Sequence, residues 1–273
     1  MSKILLKINH EEELMYPVDG YILCIKDFSN LTEKTFSIDE IKEVVKDSPN
    51  KEIYASLNRC VFNDELDKYK RVLTQLDELH LNGIIVSDIA ALTYNLKTKL
   101  ILDQGHLNNS YHSINHYLNN NVAGVYLTND ITVSEIDEIR KNTKSILFKQ
   151  VFGYTHLSTS KRMLVSNYLK HFNKNNKSNY YMINEDKSNE FYKIIEDSFG
   201  THIISSHPIN LLGYDMNVDY IVIDGFLLDN IKDVCDIFKS NDISKKKDID
   251  MKYNANEGFI NTKTIYKVKK DEK

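Results

Sequence analysis

Eight short runs of aliphatic, β-branched and aromatic residues recur along the chain: YILCIKD (21–27), EIYASLN (52–58), GIIVSD (83–88), KLILDQ (99–104), GVYLTND (124–130), SILFKQ (145–150), THIISS (201–206) and DYIVIDG (219–225). Most are unbroken apolar stretches rather than alternations, the pattern of strands covered on both faces of a parallel sheet. Between them lie segments with helical spacing. SIDEIKEVVKD begins with Ser37 and carries Glu40 three residues on, a capping box, and NDELDKYKRVLTQLDELH and TVSEIDEIRKNT are amphipathic at the same period. Strands alternating with helices over this length predict an α/β fold of the (β/α)8 barrel type, with a doubly wound open sheet as the competing architecture.

The interval between the sixth and seventh runs is long. It holds a helical stretch, TSKRMLVSNYLKHF, and then NYYMINEDKSNEFYKII, which reads as an inserted hairpin near 178–200. The expected organisation is a barrel domain over 1–242 carrying that hairpin. A tail over 243–273 follows, rich in Lys and Asn, and its late strand-like segment GFINTKTIYKVKK is expected to pack on the barrel.

Composition narrows the function classes. Of 273 residues 41% are hydrophobic, enough to fill a core, and the 35 basic against 39 acidic residues leave a net charge of only -4. That balance supplies no global field toward nucleic acid or an anionic membrane, so any RNA binding must use a local patch, and DNA is not an expected partner. No apolar run reaches the roughly 18 residues of a membrane span, and the first residues lack the flanks of a secretory signal, so the expected location is cytoplasmic. Cys24, Cys60 and Cys235 are too few and too widely spaced for a disulfide framework or a four-thiolate metal site.

In a parallel barrel, chemistry gathers at the carboxyl ends of the strands. Those ends carry Asp27, Asn58 with Arg59, Asp88, Asp103 with Gln104, Asn129 with Asp130, Gln150, Ser205 with Ser206, and Asp224. Each is also an ordinary loop starter or helix cap, and Asp224 stands out because Gly225 follows it and permits close approach. His112 and His116 share a helical face four residues apart, with His106 upstream, but no third ligand is identifiable, and a surface pair is the expected outcome. No GxSxG elbow, Walker loop or GxGxxG is present.

The stretch FYKIIEDSFGTHIISSHPINLL resembles the signature region of the collagenase-like peptidase family U32, where a strand, an acidic pair, Gly-Thr and a further strand follow one another. IYASLNRCVFNDELDKY, VFGYTHLSTSKRMLVSNYL, VDYIVIDGFL and GFINTKTIYKVKK resemble other segments of the same family, so the similarity spans about residues 50 to 270. The resemblance implies that Glu196 and Asp197 sit on a hairpin reaching the barrel mouth and that Gly200 and Thr201 launch the seventh strand. It singles out Asp224 and Glu196 as candidate catalytic acids. Arg162 and Tyr168, retained from the family, join the strand-end residues Asn58, Asp130 and Ser205 as candidate ligand contacts, with Arg162 as a bidentate anchor for a carboxylate or phosphate.

Other U32 members resemble cluster-bearing proteins that hydroxylate tRNA wobble uridine, ribosomal RNA or a quinone precursor, and they hold an iron–sulfur cluster on four cysteines. Here the first, second and fourth ligand positions fall on His156, Met163 and Asn210, and the loop for the third is shortened to HFNKNNKSN. A cluster requires thiolates, so none is expected in this chain. The implied role is therefore a cluster-less accessory subunit or paralogue in tRNA wobble-uridine hydroxylation, beside a longer U32 paralogue. The alternatives are the peptidase that the family name promises, for which no nucleophile–base pair is identifiable in the sequence, and a binding protein without catalysis.

Overall fold

The computed structural model describes residues 2–175, 178, 180–186 and 189–263. Eight parallel strands close a barrel: β1 Lys3–Lys7, β2 Gly20–Cys24, β3 Glu52–Leu57, β4 Gly83–Val86, β5 Leu100–Leu102, β6 Val122–Tyr126, the inner half of β7 Ile146–Ser160, and β11 Tyr220–Asp224. Each pairs with the next in order, and β11 closes the ring by pairing with both β7 and β1. Helices α1 Ile38–Asp47, α2 Leu66–Asp77, α3 Tyr111–Leu118 and α4 Val133–Asn142 cover the outside, and single 3-10 turns replace the helices after β1 and β4. α1 and α4 start at Ser37 and Thr132, whose hydroxyls accept the backbone N–H three residues on while Glu40 and Glu135 reach back.

The apolar runs are continuous because both faces of each strand are covered. Leu5, Ile22, Tyr54, Ile85, Ile101, Phe148 and Val222 fill the barrel interior, where Tyr54, Tyr126 and Tyr220 pack their rings around Phe148. Their neighbours along the strands face the helical layer, against Ile41 and Val44 of α1, Leu73 and Leu76 of α2, and Ile136 and Ile139 of α4.

Two strand assignments differ from the sequence pattern. The N-terminal barrel strand is β1, whose apolar core is only Ile4-Leu5-Leu6 between two lysines. The run at 201–206 lies in β10 (Gly200–Asn210), which is not a barrel strand: it pairs antiparallel with the outer half of β7. β7 is 15 residues long, and its end, THLSTS, leaves the barrel to carry β10, β9 (Glu190–Asp197) and β8 (Tyr181–Glu185) as an antiparallel extension beside α5 (Leu164–His171). Among the described residues, the insertion therefore comprises one helix and three strands, placed between the seventh and eighth barrel strands.

Gly153 marks the point where β7 turns from the barrel into the extension. Its φ is 112°, and a Cβ there would lie 2.0 Å from the Asp224 carbonyl oxygen, so only glycine lets the end of β11 approach so closely. After β11 come α6 (Lys232–Ser240) and α7 (Lys246–Tyr253), with Ile249 and Ile260 buried in the same core as the barrel helices. Residues 264–270 of the strand-like tail segment lie outside the described residues. Among the described residues, no helix is long and apolar enough to cross a membrane.

Candidate functional site at the barrel mouth

A cavity of about 730 Å³ opens at the carboxyl ends of the strands. Its polar floor is assembled from four strands. Lys7, at the end of β1, donates to Asp224 Oδ2 at 2.8 Å and to the Leu31 carbonyl at 2.6 Å. Asp224 also accepts from Asn9 Nδ2 at 3.1 Å and from the backbone N–H of Phe226 at 3.0 Å. Burial works most strongly against the Lys7 charge, but Asp224, Cys24 and Asp103 together outweigh it and hold the ammonium above its ordinary range. Asp103, after β5, is pushed up by burial despite the backbone N–H of Gly105 and the nearby Lys7, and Tyr126, at the end of β6, is raised by burial and then by Asp103 and Asp224. Asp103 is one of the strand-end acids read from the sequence, whereas Lys7 and Tyr126 are site residues that the sequence reading does not name. The one signal for Lys7 was a charge ending the apolar run ILLK.

The rim carries amides and one clamped cation. Asn58 fixes the adjoining loop by accepting from Asn30 N–H at 2.9 Å and donating to the Asn30 carbonyl at 3.1 Å. Asn129 donates to Gln150 Oε1 at 2.8 Å, and both line the cavity. Arg59 grips Glu65 with both Nη atoms, donates through Nε to the Asp27 carbonyl, and lies between the rings of Phe28 and Phe199 at 5.2 and 4.3 Å. This pairing drags the Glu65 carboxyl down to about 2, chiefly through the Arg59 hydrogen bonds. Phe199 and Ser198 form the tip between β9 and β10, so the hairpin reaches over the mouth.

The residues singled out from the sequence divide into two groups. Asp224 and Asn58 line the cavity, and Asp130 stands just behind it, bonded to His106 Nδ1, whose ring is a wall residue. The other four lie outside the cavity wall. Glu196 accepts from Val165 N–H at 2.8 Å, Ser166 N–H at 2.9 Å and the Thr201 hydroxyl at 2.8 Å, so it caps α5 from the neighbouring strand. Burial alone would raise its acid range, and these donors bring it below the ordinary value. Ser205 bridges Thr155 N–H and the His207 carbonyl where β7 and β10 slip register. Arg162 is exposed at the turn before α5, and its carbonyl accepts from Thr201. Tyr168 is exposed on α5 against Phe172. His112 and His116 both lie on the outer face of α3.

The cluster-ligand positions do not converge. Asn210 is buried opposite Phe152, where it donates to Asp250 at 2.7 Å, whereas His156 sits opposite Ile204. Four residues of β7 separate the two sites, roughly 13 Å at the usual strand rise. Met163 is exposed at the start of α5. Imidazole, thioether and amide at these separate places do not fit a four-thiolate cluster, and among the described residues no three His, Cys, Asp or Glu side chains group to hold a metal ion.

Residues 13–237 match peptidase family U32, and the chain belongs to that family. Among curated relatives, it is similar to tRNA hydroxylation protein P2 of Bacillus subtilis (strain 168), at 24% identity over 210 residues, 70% of this chain and 68% of that protein. Among solved structures, it is similar to phosphoribosylanthranilate isomerase monomers from Thermotoga maritima, with 11% identity, TM-score 0.48, and 88% and 98% of the two chains covered. A structure from Aquifex aeolicus VF5 matches with 8% identity, TM-score 0.43, and 91% and 89% coverage. The barrel assignment rests on the strand register above.

Proposed function

We propose that this chain serves in tRNA modification as a U32 subunit without a cluster of its own, acting beside a longer, cluster-bearing U32 paralogue in wobble-uridine hydroxylation. The observation that carries the reading is the combination of family membership, a relative named for tRNA hydroxylation, and an open mouth lined by His156 at the first cluster-ligand position. The cavity volume suits one unstacked nucleotide base, and the amides of Asn58, Asn129 and Gln150 offer both donors and acceptors to base edges. Phosphates are met by cations at one side of the rim. Lys161, a wall residue stacked over Phe62, adjoins exposed Arg162, so the carboxylate- or phosphate-binding role assigned to Arg162 becomes a backbone contact outside the cavity.

The test is nucleoside mass spectrometry of tRNA from cells lacking the chain, and from the same cells complemented with wild-type or a Lys161→Ala/Arg162→Ala double variant. Hydroxylated wobble uridine is expected to fall in the deletion, to return with the wild-type chain and to return incompletely with the double variant. Unchanged modification in the deletion contradicts the reading.

The peptidase reading gains one specific observation. The Thr159 hydroxyl, the His202 imidazole and the Asp197 carboxylate follow one another by hydrogen bonds of 2.8 and 3.3 Å, the order of a nucleophile, base and orienting acid. Hydrolysis of a fluorescent casein, abolished by Thr159→Ala, would favour it over RNA modification.

A further inference from the structure

The first cluster-ligand position holds a histidine with a chain of partners behind it. His156 lines the cavity, and its Nε2 lies 2.7 Å from Thr159 Oγ1. Thr159 Oγ1 lies 2.8 Å from Nδ1 of His202, which is fully buried between β7 and β10, and His202 Nε2 faces Asp197 Oδ1 at 3.3 Å. The carboxylate fixes the polarity of the whole series. Asp197 is only an acceptor when ionised, and its acid range is lowered because His202 and the Phe199 N–H outweigh the effect of burial. In the neutral form of His202 the proton therefore sits on Nε2, Nδ1 accepts from the Thr159 hydroxyl, and the threonine oxygen accepts from His156 Nε2–H. Nδ1 of His156 is left as an acceptor.

We propose that His156 is a ligand-recognising hydrogen-bond acceptor of the barrel mouth, locked in its Nε2–H tautomer by the Thr159–His202–Asp197 relay, and that it selects a neutral N–H or O–H donor on the bound group. The inference deepens the tRNA-modification reading and rests on it for the ligand: an unstacked uracil presents such a donor at its ring imide. Thr159, His202 and Asp197 are positioning residues. His156 opens onto the mouth. Desolvation by the surrounding wall lowers its range most, a positive charge on His202 adds to this when that ring is protonated, and His106 after β5 and Lys7 on β1 add less; the Ser158 carbonyl as a partner of the ring works the other way, and the range falls to about 4. At that value the imidazole is a weak base near neutral pH, so the ring suits recognition better than proton removal. A neutral His156 adds no cation of its own for a carboxylate. The acids Asp197 and Asp130 act through His202 and His106 rather than on His156 itself.

The test is long-range proton–nitrogen correlation NMR on histidine-labelled full-length protein, with uridine and 3-methyluridine as probes. Wild-type His156 is expected to be a fixed Nε2–H tautomer between pH 6 and 8. Thr159→Val should give mixed tautomers at His156, and Asp197→Asn should disturb His202 and His156 together. Uridine should shift the His156 Nδ1 resonance, and His156→Phe should weaken uridine binding about tenfold, the worth of one hydrogen bond. 3-Methyluridine, lacking the donor, should bind both proteins alike. Mixed tautomers in the wild type, or no change in Thr159→Val, overturn the relay. A fixed tautomer with no uridine response, in a protein that still shifts tRNA on a gel, overturns the acceptor role and leaves the tRNA reading standing. A uridine response without tRNA binding supports the acceptor and removes the tRNA reading instead.

Discussion

Replacing Lys7 with Met tests whether the ion pair at the cavity floor holds the mouth together. The side chains of Lys7 and Asp224 are 12% and 16% exposed, and their charged atoms meet at 2.8 Å. At an effective dielectric near 20, that separation corresponds to about 6 kcal/mol of attraction, most of which offsets the desolvation of two ions. The net worth of the pair is therefore small, but removing one partner strands the other. Lys7→Met leaves Asp224 with two donors, Asn9 Nδ2 and Phe226 N–H, so the expected loss is at the low end of the range for a broken buried pair, about 3 kcal/mol. For a chain of this size, that corresponds to roughly 6–12 °C in Tm. Urea unfolding of Lys7→Met, Asp224→Asn and the double variant forms a cycle in which the double variant should be more stable than the summed single losses by about 2 kcal/mol. A Lys7→Met protein within 1 kcal/mol of wild type, or a double variant whose losses simply add, refutes the reasoning.

Four further expectations follow from contacts elsewhere. Glu196→Ala uncaps α5 and should cost about 1 kcal/mol by urea unfolding, with the described barrel strands unaffected by hydrogen exchange; loss of protection in β1 to β6 would show that Glu196 does more than cap. Gly153→Ala places a Cβ against the Asp224 carbonyl at positive φ and should destabilise by at least about 2 kcal/mol, whereas wild-type stability would mean that β11 can shift. Glu65 is held at about 2 by Arg59, so its stabilisation is present above the unfolded carboxylate range and lost as pH falls from roughly 4.5 toward 2. Glu65→Gln should flatten that acid limb in a pH series of urea midpoints, and an unchanged limb would assign the loss to other groups. Lys149 is buried, donates to the Thr128 carbonyl and Asn129 Oδ1, and is lowered to about 7 by burial, which Asp130 only partly offsets. A lowered lysine penalises the fold below about 7, and the penalty fades as pH rises toward roughly 10.5, so Lys149→Met should compare best with wild type at pH 6 and worst at pH 10. The reverse order would contradict the assignment.

The barrel was legible because parallel strands buried on both faces write themselves as unbroken apolar runs, and Ser37 with Glu40 marked a helix start by local chemistry alone. β1 escaped because three apolar residues between Lys3 and Lys7 give too short a signal, and the second lysine finds its partner 217 residues away. The 201–206 run passed for a barrel strand because a buried antiparallel strand carries the same residues. Its partner, the polar end of β7, reads as a loop. Asp224 and Asn58 were visible as strand-end residues, a rule of topology rather than of contact. Glu196, Arg162 and Tyr168 entered through family resemblance, which marks residues kept for any reason, and Ser205 entered as the end of a strand that is not in the barrel; Glu196 and Ser205 cap or pin the insertion. The relay from His156 to Asp197 joins residues from three strands, and no spacing in the sequence announces it.

The proposed function requires that this chain work without a redox centre of its own, beside a chain that has one. The most direct measurement is iron and sulfide content, with a visible absorption spectrum, on anaerobically purified protein, alone and co-expressed with a longer U32 paralogue. No iron is expected in the isolated chain, and iron is expected in a stable co-purifying complex. Stoichiometric iron and sulfide in the isolated chain, or no complex with the paralogue, would contradict the proposed function.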